Sequence, residues 1–293
     1  METRVISVSP VVLSAPGRGI DLQVRISAPV TGSQLPIIVF AHGYGSSLDG
    51  YAPLVNYWAA RGFVVIQPTF LDARTLGLGP DDPRTPLIWR FRVEDMKRTL
   101  DNLDLLEEAL PGLKGRTDRN RIAAVGHSFG AQTTGMLLGA GIIGFNEDLS
   151  DARIKAGVLL TPGGRGGEDL SPFAAEHYPF MNPDYTSMTT PTLIVAGDQD
   201  NSPLTVRGPD WFTDAYTLST GSKSLLTLFG GEHLLGGISG YLVTETSDEN
   251  PERVAVVQRL TWAYLRTALY PEDTAWSKAC AELPETQGRV ESK

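Results

Sequence analysis

Six short runs in this chain are too apolar to leave one face in water: Pro36 to Ala41, Phe63 to Ile66, Arg121 to Val125, Gly157 to Leu160, Pro191 to Ala196 and Ser224 to Phe229. Strands of that kind are buried on both faces, which requires a mostly parallel sheet covered by helices on each side. Helical patterns fall between the runs, at Pro53 to Ala60, Trp89 to Ala109 and Ala131 to Gly141, and a last helix opens at Pro251. Leu100, Leu103, Leu106 and Leu110 recur at core spacing, as do Val254, Val257, Leu260 and Leu265. Before them, Val5 to Leu13 and Asp21 to Ala28 read as antiparallel strands at one edge. The expected fold class is α/β.

Gly126-His127-Ser128-Phe129-Gly130 lies between one of these strands and its helix. A serine on a sharp strand-to-helix turn projects its hydroxyl into a cleft, and the flanking glycines allow a backbone approach that a Cβ would block. Such a serine needs a base, an acid that orients the base, and donors for an oxyanion. The run ending at Ala196 empties into Gly197-Asp198-Gln199-Asp200-Asn201, and the run ending at Phe229 into Gly230-Gly231-Glu232-His233. The order Ser128, Asp200, His233 is that of one of the three common serine-hydrolase arrangements. Asp198 competes with Asp200 for the acid's role; the spacing past the glycine turn favours Asp200, and Asp198 reads as a solvated turn residue.

The oxyanion donors are expected to be the backbone N–H groups of Phe129, just after the serine, and Tyr44, in the loop His42-Gly43-Tyr44-Gly45 after an early strand. His42 reads as a brace of that loop, His127 as a packed residue inside the turn, and His177 as a surface residue in an irregular segment. Trp89, Phe173 and Tyr178 are candidate substrate contacts, although large aromatics also fill cores and pack loops. Two pocket-shaping loops are expected at about residues 71–88 and 161–190, and a frayed tail at 285–293. Histidine and cysteine spacing forms no metal-ligand pattern, so neither a metal nor a cofactor is expected.

Over almost its whole length the chain resembles the α/β-hydrolase superfamily. The resemblance lies in the G-H-S-F-G turn, the loop at His42, the stretch Trp89 to Asp95, Leu100 to Leu103, and Asp118 to Ile122. It is similar to the branch of predicted dienelactone hydrolases, bacterial relatives of platelet-activating-factor acetylhydrolase, chlorophyllases and cutinase-like polyesterases. This implies a single α/β-hydrolase domain over residues 1–293 and cofactor-free ester hydrolysis through an acyl-enzyme. Dienelactone hydrolases carry a cysteine where this chain has Ser128, which argues against that activity. A thioesterase or amidase uses the same groups, and a noncatalytic receptor can keep the same fold.

A formal charge of −9 argues against nucleic acid or an anionic membrane surface as partner. A small or polymeric ester is the expected partner. The single cysteine, Cys280, excludes an internal disulfide. No segment has the apolar length of a membrane span, and no signal peptide is legible before Val5, so a cytoplasmic protein is the expectation. The broken, glycine- and proline-rich stretch from Thr161 to Thr190 predicts an open cleft serving short-chain esters rather than a helical lid.

Overall fold

The computed structural model describes residues 3–79, 82–241 and 247–293. The chain order is β1 (Val5–Leu13), β2 (Leu22–Pro29), β3 (Leu35–Ala41), α1 (Ala52–Ala60), β4 (Val64–Pro68), α2 (Ile88–Asp101), α3 (Leu103–Ala109), β5 (Thr117–His127) and α4 (Phe129–Leu137). It continues with β6 (Gly141–Ile142), β7 (Ile154–Leu160), α5 (Pro172–His177), β8 (Pro183–Asp184), β9 (Thr192–Gly197), α6 (Asp214–Thr217), β10 (Lys223–Leu228), α7 (Pro251–Leu269), α8 (Ala275–Ala281) and β11 (Gly288–Ser292).

Nine strands form one sheet in the order β1-β2-β4-β3-β5-β7-β9-β10-β11, and β6 pairs with β8 in a separate ribbon. From β4 to β10 every pairing is parallel, whereas β1, β2 and β11 join antiparallel. The alternation of side chains along a strand divides the core in two. Ile37, Val39, Ala124 and Ile194 face the side covered by Met96, Leu100 and Leu106 of α2 and α3. Ile38, Phe40, Val125 and Val195 face the side covered by Leu54 and Trp58 of α1 and Val257 and Leu260 of α7. Both sets are fully enclosed, which is why these runs contain almost no polar residues.

The crossovers reverse direction between β3 and β5: β3 leads outward to β4, and β5 begins the march to the other edge. Loops leaving the carboxyl ends of two such strands diverge and open a crevice. The loop carrying Tyr44 follows β3 and the G-H-S-F-G turn follows β5, so both border this crevice.

Two expectations are corrected. The helix expected over Trp89 to Ala109 breaks at Asn102, whose backbone leaves helical geometry (φ −110°, ψ 25°) while its side-chain amide donates to the Arg98 carbonyl at 2.8 Å. Asparagine offers the backbone this local alternative to continuing a helix. The tail is not frayed: β11 pairs with β10 over five residues, and Ser224 Oγ meets Ser292 Oγ at 2.9 Å. β10 would otherwise present an unpaired edge, which the tail covers. The expected loop at 71–88 runs through Pro80 and Asp81, which lie outside the described residues, as do Met1 and Glu2; its described parts are irregular, with short 3₁₀ turns at Arg74–Leu76 and Thr85–Leu87. In the expected loop at 161–190 the longest helix is the six-residue α5.

Candidate active site

Ser128 stands between β5 and α4 in a conformation rare for a residue with a side chain, φ 55° and ψ −122°. Strain of this kind costs about 1–3 kcal/mol and persists only where the surroundings impose it. Here the Ser128 N–H donates to Leu160 O at 2.9 Å and its carbonyl accepts from Ala131 N at 2.8 Å. Glycine is required on both sides: a Cβ on Gly126 would stand 2.1 Å from Gly130 O, and one on Gly130 would stand 2.0 Å from Ala41 O.

The fold brings His233 and Asp200 to this serine. Ser128 Oγ and His233 Nε2 are 2.8 Å apart, and His233 Nδ1 lies 2.9 Å from Asp200 Oδ2 and 3.2 Å from Oδ1. An ionised carboxylate only accepts, so Nδ1 carries the proton and Nε2 is left to accept from the serine. Asp200 is fully buried. Asp198 turns away and accepts the Gly230 N–H at 2.7 Å, bracing the turn that leads to His233.

The loop carrying His233 is held by a residue that the sequence did not disclose. Asp248 Oδ2 accepts the N–H groups of Glu232 and Gly236, both at 3.0 Å, and Arg253 Nη1 at 2.9 Å. One carboxylate therefore clamps both ends of the histidine's loop. On the opposite wall, Arg92 forms a two-pronged pair with Asp72 (2.9 and 2.7 Å) and donates to the carbonyls of His42 at 2.8 Å and Gly43 at 3.4 Å. Asp72 also accepts the Gly45 N–H at 3.2 Å. The Arg92 guanidinium, charged and attractive to aromatic faces, lies 4.3 Å from the Phe129 ring centre. Arg92 belongs to the stretch Trp89 to Asp95 that carries the family resemblance, but a cation in an amphipathic helix reads as solvent-facing until its partner is seen.

His42 braces the loop as expected: its Nδ1–H donates to Gly43 O at 2.7 Å and its Nε2 accepts from Phe70 N at 3.1 Å. Burial, then the charge of Arg92, lowers its pKa to about 4. His127 does more than pack. Its Nε2–H donates to the His233 carbonyl at 2.8 Å and its Nδ1 meets Tyr51 Oη at 2.8 Å. Burial, then His233, lowers its pKa to about 3.

Tyr44 is 63% exposed, with its N–H free of protein acceptors among the described residues. Phe129 is the first residue of α4, where an N–H has no intrahelical acceptor. Two cavities meet at Ser128 and His233. A cleft of about 370 Å³ includes Tyr44, Ser46, Arg74 and Leu234, and a smaller cavity of about 50 Å³ lies among Thr161, Met181, Leu204, Trp211 and Phe212. Trp89 is in neither; it is 1% exposed in the core and packs edge-on against Phe145, because its position on α2 faces the sheet. Trp211, and not Trp89, lines the smaller cavity. Phe173 and Tyr178 also lie outside both cavities: Phe173 is an exposed ring on α5 that meets the exposed His177 ring at a tilt, and Tyr178 packs edge-on against Phe180. Burial, then the neighbouring Tyr178, raises the Tyr44 phenol pKa. No cluster of three metal-ligating side chains occurs among the described residues.

A parallel sheet with a strained serine at its switch point, hydrogen-bonded to a histidine from a later strand end, defines the α/β-hydrolase class. The chain belongs to the alpha/beta hydrolase family, whose family model matches residues 38–285. It is similar to Cutinase 1 of Thermobifida cellulosilytica, 25% identical over 211 residues that span 72% of this chain and 64% of the relative. A cutinase of Thermobifida fusca is also 25% identical, over 72% of this chain and 56% of the relative. The platelet-activating factor acetylhydrolase of Cavia porcellus is 25% identical over 53% of this chain and 41% of its own. The matches thus span less than two thirds of the length of these relatives.

Proposed function

We propose that the protein is a serine hydrolase that cleaves carboxylic esters through an acyl-enzyme. The carrying observation is the continuous line of hydrogen bonds from Ser128 Oγ through His233 to buried Asp200. In this reading His233 Nε2 takes the hydroxyl proton as Oγ bonds to the acyl carbon. The carbonyl oxygen gains negative charge between the N–H groups of Phe129 and Tyr44. Collapse breaks the bond to the alcohol oxygen, which receives the proton from His233; water then repeats the sequence and releases the acid. Asp200 holds the imidazole in the needed tautomer. Relatives named cutinase and acetylhydrolase support ester over amide or thioester substrates.

The smaller, largely apolar-lined cavity is the natural seat of the acyl group and the wider cleft that of the alcohol. With about 50 Å³ available, the first holds about three or four water-sized groups, which suits acetyl to butyryl.

A fluorophosphonate probe and p-nitrophenyl esters test this together. Stoichiometric labelling at Ser128, multiple turnover, and a drop in kcat of about 10⁴ to 10⁶ in Ser128→Ala are expected. Labelling without turnover would make the protein a receptor on a hydrolase fold, and unimpaired turnover in Ser128→Ala would end the proposal.

A further inference from the structure

One buried chain of hydrogen bonds crosses three loops at Ser128, and the acyl-transfer steps do not themselves require it. The Gly43 N–H donates to Tyr51 Oη at 3.0 Å, Tyr51 Oη lies 2.8 Å from His127 Nδ1, and His127 Nε2 lies 2.8 Å from the His233 carbonyl. The proton positions are forced. A carbonyl only accepts, so His127 Nε2 donates; its Nδ1 is then a lone pair, and Tyr51 must donate to it. With a pKa lowered to about 3, His127 is neutral at ordinary pH, as this arrangement demands.

Tyr51 is installed at a structural cost. Its backbone is left-handed, φ 63° and ψ 25°, a region that disfavours a bulky side chain. It is held there by its N–H on Ser239 O at 2.9 Å and by packing of its ring against Phe40, 4.7 Å between centres. Phenylalanine would supply the packing. The hydroxyl adds two bonds to partners that are themselves enclosed, and a polar group so enclosed is costly when left unpaired. Room for it exists because residue 43 is glycine: a Cβ there would lie 2.8 Å from Oη.

We propose that Tyr51 and His127 are positioning residues for acyl transfer, joining the oxyanion loop, the nucleophile turn and the loop of the base into one rigid unit. This rests on the reading of Ser128, His233 and Asp200 given above. At one end, Gly43 is fixed on both its peptide planes: its N–H by Tyr51, and its carbonyl by His42 and Arg92. In a trans peptide the next N–H points opposite to that carbonyl, so the direction of the Tyr44 N–H is set by these bonds. At the other end, His127 anchors the backbone from which the base hangs. Loosening the relay displaces donor and base relative to each other. That affects a transition state, which needs both in register, more than substrate binding.

Tyr51→Phe in the full chain tests this, with kcat expressed per serine titrated by fluorophosphonate so that misfolded protein does not count. On p-nitrophenyl acetate, kcat is expected to fall about 10- to 100-fold with KM within about twofold. Affinity for a trifluoromethyl ketone, which mimics the tetrahedral intermediate, is expected to fall by the same factor. His127→Gln keeps a donor for the His233 carbonyl and is expected to retain about tenfold more activity than His127→Leu; this pair decides the matter if Tyr51→Phe does not fold. A Tyr51→Phe kcat within twofold of wild type, a loss confined to KM, or equal activity of the Gln and Leu variants would overturn the relay while leaving the triad intact. Failure of the triad reads differently, as a wild-type protein that is neither labelled at Ser128 nor active.

Discussion

Asp198 and Asp200 stand two residues apart and face opposite tasks. Asp200 is enclosed against His233, whereas Asp198 is half-buried and ties down the Gly230 N–H. Asp200→Asn should lower kcat by about 10³ to 10⁴, because an amide stabilises the wrong imidazole tautomer and no charge. Asp198→Asn keeps an oxygen for Gly230 and should leave kcat within a few-fold; kinetics of the two purified variants decide, and the reverse ranking would move the acid to Asp198. Leu204 governs a different property. It lines the smaller cavity beside Ser128, so Leu204→Ala should shift the best p-nitrophenyl ester towards longer acyl chains, each added buried CH₂ being worth about 0.8 kcal/mol. An unchanged chain-length profile would place the acyl group elsewhere. At this scale the sequence let Ser128, Asp200 and His233 be brought together because each stands within five residues of the carboxyl end of an apolar strand. It was unreadable where a role depends on a distant partner. Asp72 and Arg92 are twenty positions apart with no shared motif, and Asp248 acts on a loop it does not adjoin. Nor can hydropathy tell that Trp211, rather than Trp89, lines a cavity.

The loop after β3 shows how an element can matter through its backbone while its side chain faces outward. The exposed Tyr44 ring contributes contact surface, whereas its N–H is placed by the clamp of Arg92, Asp72 and His42. Tyr44→Ala should therefore change substrate preference and keep most of kcat, while Tyr44→Pro should lose about 10² to 10³ by deleting the N–H. Equal losses in steady-state kinetics would transfer the role to the ring. Elements themselves were legible from their period and from Pro251 at the start of α7; the structure adds Asn250, whose side chain caps that helix by accepting the Arg253 N–H at 2.9 Å. What was not legible was the break at Asn102, since Leu100, Leu103 and Leu106 keep helical spacing across it. The strand β11 was missed because Arg289, Glu291 and Lys293 read as a solvated tail; an edge strand packs few side chains and draws its stability from the unpaired backbone of β10.

Across the whole molecule, two enclosed neutral histidines couple the site to stability. The pKa of His42 falls from 6.5 to about 4 and that of His127 from 6.5 to about 3. Above pH 6.5 neither the folded nor the unfolded chain protonates them, and nothing is lost. As pH falls below 6.5 the unfolded chain takes up protons that the folded one refuses, so stability declines through this window by an amount on the order of several kcal/mol. The urea midpoint should drop between pH 6.5 and pH 4, and His127→Gln should flatten that slope; a midpoint independent of pH over this range would contradict the assignment.

Ser128 and His233 are separated by more than a hundred residues and meet only because the parallel strands from β5 to β10 stand side by side. Pairings between strands so distant in sequence form late and slowly. A partly assembled sheet would still bury much of its apolar surface, yet in the proposed mechanism its serine would lack a base and would be chemically inert. During refolding, fluorophosphonate reactivity should therefore trail the recovery of helical signal and appear with the slowest structural phase, making Ser128 a built-in gauge of the fraction of molecules whose architecture is finished.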